Sequence, residues 1–109
     1  MIDVRYYVTR AGKNIVDDWI ASLKDARTEA RIMDRLERLT QGNFGDCKPL
    51  GGSLYELRAD LGPGYRIYYA MVGQTCVLLL NAGDKRRQTS DIERAREFLK
   101  DYKERVRIQ

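Results

Sequence analysis

The sequence predicts an α+β domain: a small twisted sheet, mainly antiparallel, with an N-terminal helical hairpin and a C-terminal helix, in the order β-α-α-β-β-β-α. Three observations carry this. Apolar residues recur at helical spacing between positions 15 and 42 and again after position 90. Three runs rich in β-branched and aromatic residues lie between positions 54 and 82. The connections between those runs, Asp60 to Gly64 and Gly73-Gln74, are too short for the crossovers that parallel strands need.

Taking the elements in order, Ile2 to Thr9 is a short β-forming run that stops before Ala11-Gly12 and reads as a first strand. Ile15, Val16, Trp19, Ile20 and Leu23 mark one face of a first helix. Asp25 is placed to cap a second helix, whose stripe of Ala26, Ala30, Met33 and Leu36, with Ile32 and Leu39, ends at Gly42. Gly42 to Gly52 reads as a loop with room for a short extended piece. Leu54 to Ala59, Tyr65 to Val72 and Thr75 to Ala82 form a meander of three strands. After Gly83-Asp84-Lys85-Arg86-Arg87 the last helix begins, with Ser90 and Glu93 at capping-box spacing and a stripe of Ile92, Ala95, Leu99, Tyr102 and Val106, joined by Phe98. The helices are expected on one face of the sheet. With 109 residues and no linker or repeat, positions 1–109 are read as a single domain.

Composition narrows the function classes. Hydrophobic residues make up 43% and charged residues 33%, which suits a folded globular chain rather than a disordered tail. No apolar run reaches the roughly 18 to 20 residues of a membrane span, and the first residues lack a signal-peptide pattern, so a cytoplasmic location and no membrane partner are expected. Cys47 and Cys76 stand apart with no histidine anywhere in the chain, so we read them as reduced thiols and expect neither a metal nor another cofactor. The missing histidine also removes the usual general base, and no serine sits in a nucleophile motif. The net charge of +4 favours a polyanionic partner. That excess is uneven: Met1 to Gly42 holds eight basic and seven acidic residues, whereas Lys48 to Gln88 holds six basic and three acidic.

Strand alternation turns this charge into a candidate site. Tyr55 and Leu57 share one face with Tyr65, Ile67, Tyr69 and Met71, which form the expected core; Glu56, Arg58, Arg66 and Tyr68 lie on the opposite, uncovered face. If the hairpin turns about Gly62, paired residue numbers sum to 124, setting Arg58 beside Arg66 and Glu56 beside Tyr68. Two like charges directly opposite cost stability unless something anionic lies between them. Lys85, Arg86 and Arg87 arrive at the same end of the sheet, and Arg and Lys together suit phosphate. Tyr68 is placed to stack on a base or to bond a phosphate oxygen. The competing reading is an exposed face held by salt bridges such as Glu56 with Arg66 or Lys85, and spacing alone does not choose between the two.

The segments Leu54-Tyr55-Glu56-Leu57-Arg58, Gly62-Pro63-Gly64-Tyr65-Arg66-Ile67-Tyr68-Tyr69 and Gly83-Asp84-Lys85-Arg86-Arg87-Gln88-Thr89-Ser90-Asp91-Ile92 together resemble the RelE/ParE toxin superfamily. The likeness is greatest to its phage-derived, HigB-like branch of addiction module killer proteins, and it extends over nearly the whole chain. The resemblance implies the toxin of a bacterial type II toxin–antitoxin system, an endoribonuclease (mRNA interferase) that cleaves mRNA on the ribosome and is held in check by a cognate antitoxin, a helix-turn-helix protein. It places the family's basic positions on Arg58, Arg66 and Lys85, which become the candidate catalytic residues. Tyr68, Arg86, Arg87 and Gln88 become candidate RNA contacts, with capping or orienting the last helix as the other role open to Gln88. The chain departs from RelE at Asp60, where RelE has a second lysine, and in lacking a tyrosine near Asp91.

In that scheme the RNA 2′-hydroxyl is the nucleophile. Arg66 binds the scissile phosphate, Arg58 stabilises its transition state and Lys85 neutralises or protonates the leaving oxygen. Two rival readings use the same fold or face: a ParE-like inhibitor of DNA gyrase, against which the retained Arg58, Arg66 and Lys85 weigh, and a non-catalytic RNA-binding module.

Overall fold

The structure is a computed structural model that describes residues 1–108. The elements are β1 (Asp3–Tyr6), α1 (Ile15–Ser22), α2 (Ala26–Thr40), β2 (Cys47–Gly51), β3 (Leu54–Ala59), β4 (Tyr65–Val72), β5 (Cys76–Asp84), a 3-10 turn (Lys85–Arg87) and α3 (Gln88–Ile108). The α+β class stands, with a five-stranded sheet in the order β1-β5-β4-β3-β2. β1 runs parallel to β5, and the other neighbours are antiparallel. No helix among the described residues is long and apolar enough to cross a membrane.

The β3–β4 register matches the sequence arithmetic residue for residue, including Glu56 opposite Tyr68 and Arg58 opposite Arg66. β2 lies where the sequence left room for a short extended piece within a loop. Its Pro49 and Gly51 hide the pattern, but on a sheet edge a missing N–H is tolerated, and a register irregularity lies between these two residues.

The expectation of helices on one face is corrected: they lie on both. α1 and α2 bury Val16, Ile20, Ile32, Leu36 and Leu39 against Leu57, Ile67, Tyr69, Val77 and Leu79 on one side. On the other side α3 buries Ala95 and Leu99 against Leu54, Tyr68, Ala70, Leu78 and Leu80. Central strands β4 and β5 alternate two apolar sets, one per face, so a second helical layer is needed to keep the second set from water. In α2 the buried stripe is Ile32, Leu36 and Leu39, while Met33 is 45% exposed. Val106, near the end of α3, is 50% exposed because the helix there runs beyond the core.

Each helix start has a local cause. The Asn14 side chain accepts from Asp17 N–H at 3.1 Å and Asp25 accepts from Arg27 N–H at 3.1 Å, which satisfies donors that the first turn leaves free. The capping box at Ser90 does not form. Asp84 instead accepts from Arg86 N–H at 2.9 Å and opens the 3-10 turn, so α3 starts at Gln88 and Ser90 lies inside it. The far end of α3 is tied to the start of the sheet: Tyr7 donates to Asp101 at 2.6 Å and Arg105 donates to the Val8 carbonyl at 2.6 Å. Burial and the Asp101 carboxylate together push the Tyr7 hydroxyl up to about 12.

One irregularity in β5 decides how α3 begins. The β4–β5 register slips between Tyr68 and Tyr69, so that Tyr68 faces Asn81 and Tyr69 faces Leu79. Leu80 packs under α3, and Asn81, the next residue, donates to the Asp91 carbonyl at 3.0 Å, so two successive residues serve the same face. The slip returns Gly83 to that face, directly opposite Arg66. A Cβ on Gly83 would fall 2.1 Å from Asp91 Oδ2, so the glycine is there for space.

Gly83→Ala is therefore expected to lower stability by about 1–3 kcal/mol through overpacking, a fall of several degrees in a melting curve. Adding Asp91→Ala should recover most of the loss. A single mutant that melts like the parent would show that α3 shifts freely over β5.

Candidate functional site

The face assigned from sequence as uncovered is open only at one margin. Tyr68 is fully buried beneath α3, and its hydroxyl has no hydrogen-bond partner, so its expected role as a base-stacking or phosphate-bonding residue is corrected. Burial first, then the neighbouring Glu56 and Asp91 carboxylates, push that hydroxyl far above its usual range, with Arg66 opposing. Tyr68 stays a neutral hydroxyl inside the protein.

Glu56 is 1% exposed. Oε1 lies 2.9 Å from Arg66 Nε and Oε2 accepts from Gln88 Nε2 at 2.8 Å. The Arg66 N–H is not aimed well enough for a hydrogen bond, so the first contact is an ion pair by proximity. Of the two roles open to Gln88, the structure displays a contact that ties the first turn of α3 to β3 through Glu56. The carboxylate thus joins β3, β4 and α3 at one point.

Arg66 is mostly enclosed, with 14% of its side chain exposed, and Nη1 also donates to the Tyr65 carbonyl at 3.2 Å. Its neighbour across the hairpin, Arg58, is half open. Arg58 Nη2 reaches Asp46 Oδ1 at 2.9 Å, and its backbone N–H donates to the Asp46 carbonyl at 2.9 Å. The like charges of Arg58 and Arg66 are thereby drawn to different carboxylates, which relieves part of their repulsion without any bound anion. Arg35, from α2, adds a fixed point by donating to the Arg58 carbonyl at 2.7 Å.

Lys85 joins them through Gly64. The Lys85 N–H donates to the Gly64 carbonyl at 2.8 Å, and a Cβ placed on Gly64 would stand 3.6 Å from Lys85 Cβ and Cδ and 3.7 Å from Arg66 Nη1. With φ near +83°, Gly64 also holds a backbone conformation that other residues resist. The lysine stem and the Arg66 guanidinium therefore both border one glycine. Arg86 pairs with Asp84 at 3.0 Å and is otherwise open, and that hydrogen bond holds the Asp84 carboxyl below its usual range. Lys85 and Arg87 are exposed and form no ion pair among the described residues.

The sheet end thus brings Arg58, Arg66 and Lys85 into one neighbourhood, with Arg86 and Arg87 on the turn beside it. Chemically this arrangement can bind a phosphate group and offset added negative charge on it. Sequence reasoning missed Asp46, Gly64 and Asp91. The first two sit in irregular segments where no period operates. Asp91 carried one usable signal: it lies in the first turn after a strand glycine that faces Arg66.

Comparison with known proteins fits this picture. Residues 18–100 match the family model described as Phage derived protein Gp49-like (DUF891), a family associated with addiction-module toxins. A protein of Haemophilus influenzae, described as uncharacterized, is 44% identical over 80 residues, covering 73% of this chain and 81% of the relative. The matched span runs from α1 to the middle of α3 and contains Arg58, Arg66, Lys85 and the Glu56 tie. The chain belongs to the Gp49-like family of phage-derived proteins.

Proposed function

We propose that the protein is the toxin of a type II toxin–antitoxin pair and acts in the cytoplasm as a ribosome-dependent endoribonuclease on mRNA. Family membership supports the first half. The observation that carries the second is that Arg66 and Lys85 both border Gly64, with Arg58 directly across the hairpin.

In this reading the 2′-hydroxyl gives up its proton to solvent water as it attacks the adjacent phosphorus, and the bond to the 5′-oxygen of the next nucleotide breaks. Negative charge grows on the non-bridging oxygens. Arg66 is held by Glu56 and Tyr65 before substrate arrives, so it presents donors without reorganising. Arg58 supplies a second positive charge, and Lys85, exposed and mobile, neutralises the leaving oxygen or gives it a proton. Arg86 and Arg87 hold flanking phosphates. Gln88 acts through Glu56, as a positioning residue rather than an RNA contact. With no histidine in the chain, proton transfer is weakly served, so the ribosome must impose the in-line geometry.

Lys85→Ala removes an exposed side chain without an ion pair and is expected to melt like the parent. Cleavage of mRNA on programmed ribosomes should fall by on the order of 10²-fold. Arg66→Ala should abolish cleavage and also destabilise, by about 3–5 kcal/mol, because it leaves a buried carboxylate without its countercharge. Adding Glu56→Gln should restore much of that stability but not the cleavage. Recovered cleavage in the double mutant would remove Arg66 from the chemistry, and inhibition of gyrase supercoiling without RNA cleavage would replace the proposal with a gyrase target.

Induced expression is expected to arrest bacterial growth, and co-expression of a small protein encoded beside it to relieve the arrest. We propose a helix-turn-helix protein for that antitoxin. Normal growth at verified soluble expression would refute the toxin reading.

A further inference from the structure

Away from the candidate site, the charges of α3 are sorted rather than mixed. Arg96, Lys100, Lys103 and Arg107 follow one another at spacings of four, three and four residues, which places all of them on one face of the helix. They line a shallow groove of about 400 Å³ whose remaining walls are Leu99 and Glu104, so four cations face one carboxylate. All four are exposed, and none forms an ion pair among the described residues. At about 1.5 Å of rise per residue the stripe spans roughly 16 Å of helix.

Like charges three and four apart on a helix repel, so the pairs Arg96–Lys100, Lys100–Lys103 and Lys103–Arg107 each cost stability. The helix dipole favours cations in the last turn, which accounts for Arg107, but Arg96 and Lys100 lie well before it. Carboxylates that could offset the stripe are at hand, since Glu97 stands three residues before Lys100 and Glu104 four after it. Neither closes on it, although the same helix pairs Arg105 with Asp101 at 2.8 Å. The stripe is also held in place. Arg96 donates to the Leu50 and Gly51 carbonyls at 2.8 and 3.2 Å, contacts that fix its guanidinium without neutralising it. The helix itself is tied at its start through Gln88 to Glu56 and towards its end through Asp101 to Tyr7.

We propose that this stripe docks the protein on double-helical RNA of the ribosome, gripping backbone phosphates while the sheet end takes the mRNA. The assignment rests on the ribosome-dependent reading above and names the surface through which the ribosome fixes the protein. A phosphate backbone is favoured over an acidic protein segment because Leu99, the one apolar residue of the groove, is 5% exposed and offers a peptide no apolar anchor. A duplex is favoured over a single strand because no aromatic side chain lines the groove to stack on an unpaired base. Since α3 is tied to the sheet at both ends, holding this helix on RNA also holds Arg66 and Lys85 relative to the strand to be cut.

Lys100→Gln with Lys103→Gln and Arg107→Gln removes three exposed charges and leaves Arg96 on its carbonyls, so this variant should melt like the parent. Binding is measured by cosedimentation with purified ribosomes that carry no mRNA, and by fluorescence anisotropy with a labelled RNA hairpin and an unstructured RNA strand of equal length. The parent should bind ribosomes and hairpin, and the variant should bind both at least about tenfold more weakly, with a salt slope smaller by roughly 1 per cation removed. In mRNA cleavage on programmed ribosomes its KM should rise by a similar factor with kcat unchanged. Lys100→Arg with Lys103→Arg should bind like the parent. Lys24→Gln with Arg27→Gln and Arg31→Gln, which removes as many exposed charges around the start of α2, should change binding little. Equal weakening by that control, or parent-like ribosome binding by the α3 variant, overturns the docking surface and leaves the cleavage reading intact. Tighter binding of the unstructured strand than of the hairpin overturns it as a duplex site and makes the stripe a path for the substrate strand. Binding of polyglutamate but of neither RNA overturns it in favour of an acidic segment of a protein partner. Stripe-dependent ribosome binding by a protein that cleaves no mRNA would leave the docking surface standing and refute the cleavage reading instead.

Discussion

The buried carboxylate of Glu56 is the constraint around which the rest is arranged. A carboxylate that is 1% exposed needs its oxygens answered from inside the protein. Arg66 answers the charge from β4, and Gln88 answers one oxygen from the first turn of α3. The β3–β4 hairpin and the later helix α3 are thereby pinned together. Replacing the cluster with apolar residues would serve stability as well or better, since buried ion pairs seldom return their desolvation cost. What the cluster supplies is orientation. It draws Arg66 against the sheet and brings the basic turn Lys85–Arg87 alongside.

How this comes about follows from α3. Its apolar stripe covers Tyr68, Leu78 and Leu80, which closes most of the sheet face and leaves a cationic margin where the helix begins. The slip in β5 sets that starting point by sending Leu80 and Asn81 toward the helix in succession and returning Gly83 to the face opposite Arg66. Without the slip, alternation would turn Gly83 to the other face, and Asp91 would lose its seat. A one-residue irregularity thus connects packing to the charges at the site.

The legible parts of the molecule were those governed by a period or by pairing arithmetic. β3 and β4 matched to the residue, and the Arg58–Arg66 pairing followed from them. Strand β2 was legible only as room for a short extended piece, because Pro49 and Gly51 break the pattern of a strand while remaining acceptable on an edge. The side of the sheet taken by α3 was not legible either. Period-2 alternation shows that Arg66 and Tyr68 share a face, but whether a helix covers that face depends on where the chain turns after β5. That turn was set by Asp84 rather than by the capping box at Ser90. Tyr68 was misplaced for this reason alone: its face was right and its cover was missing.

The distribution of partners separates two kinds of cation at the sheet end. Arg58, Arg66 and Arg86 each lie against a carboxylate, whereas Lys85 and Arg87 do not. Held cations are preoriented, and their partners lower the net field; free cations carry the field and move. A polyanion approaching this end meets the free pair first, because exposed charges act over roughly a Debye length, about 8 Å at physiological salt. It meets Arg66, whose side chain is 14% exposed, only on close contact. Such a division suits a site in which attraction and alignment are separate demands. Alignment falls to groups with little freedom to lose, and the weakest part of the chemistry, proton transfer, is left to whatever fixes the substrate from outside.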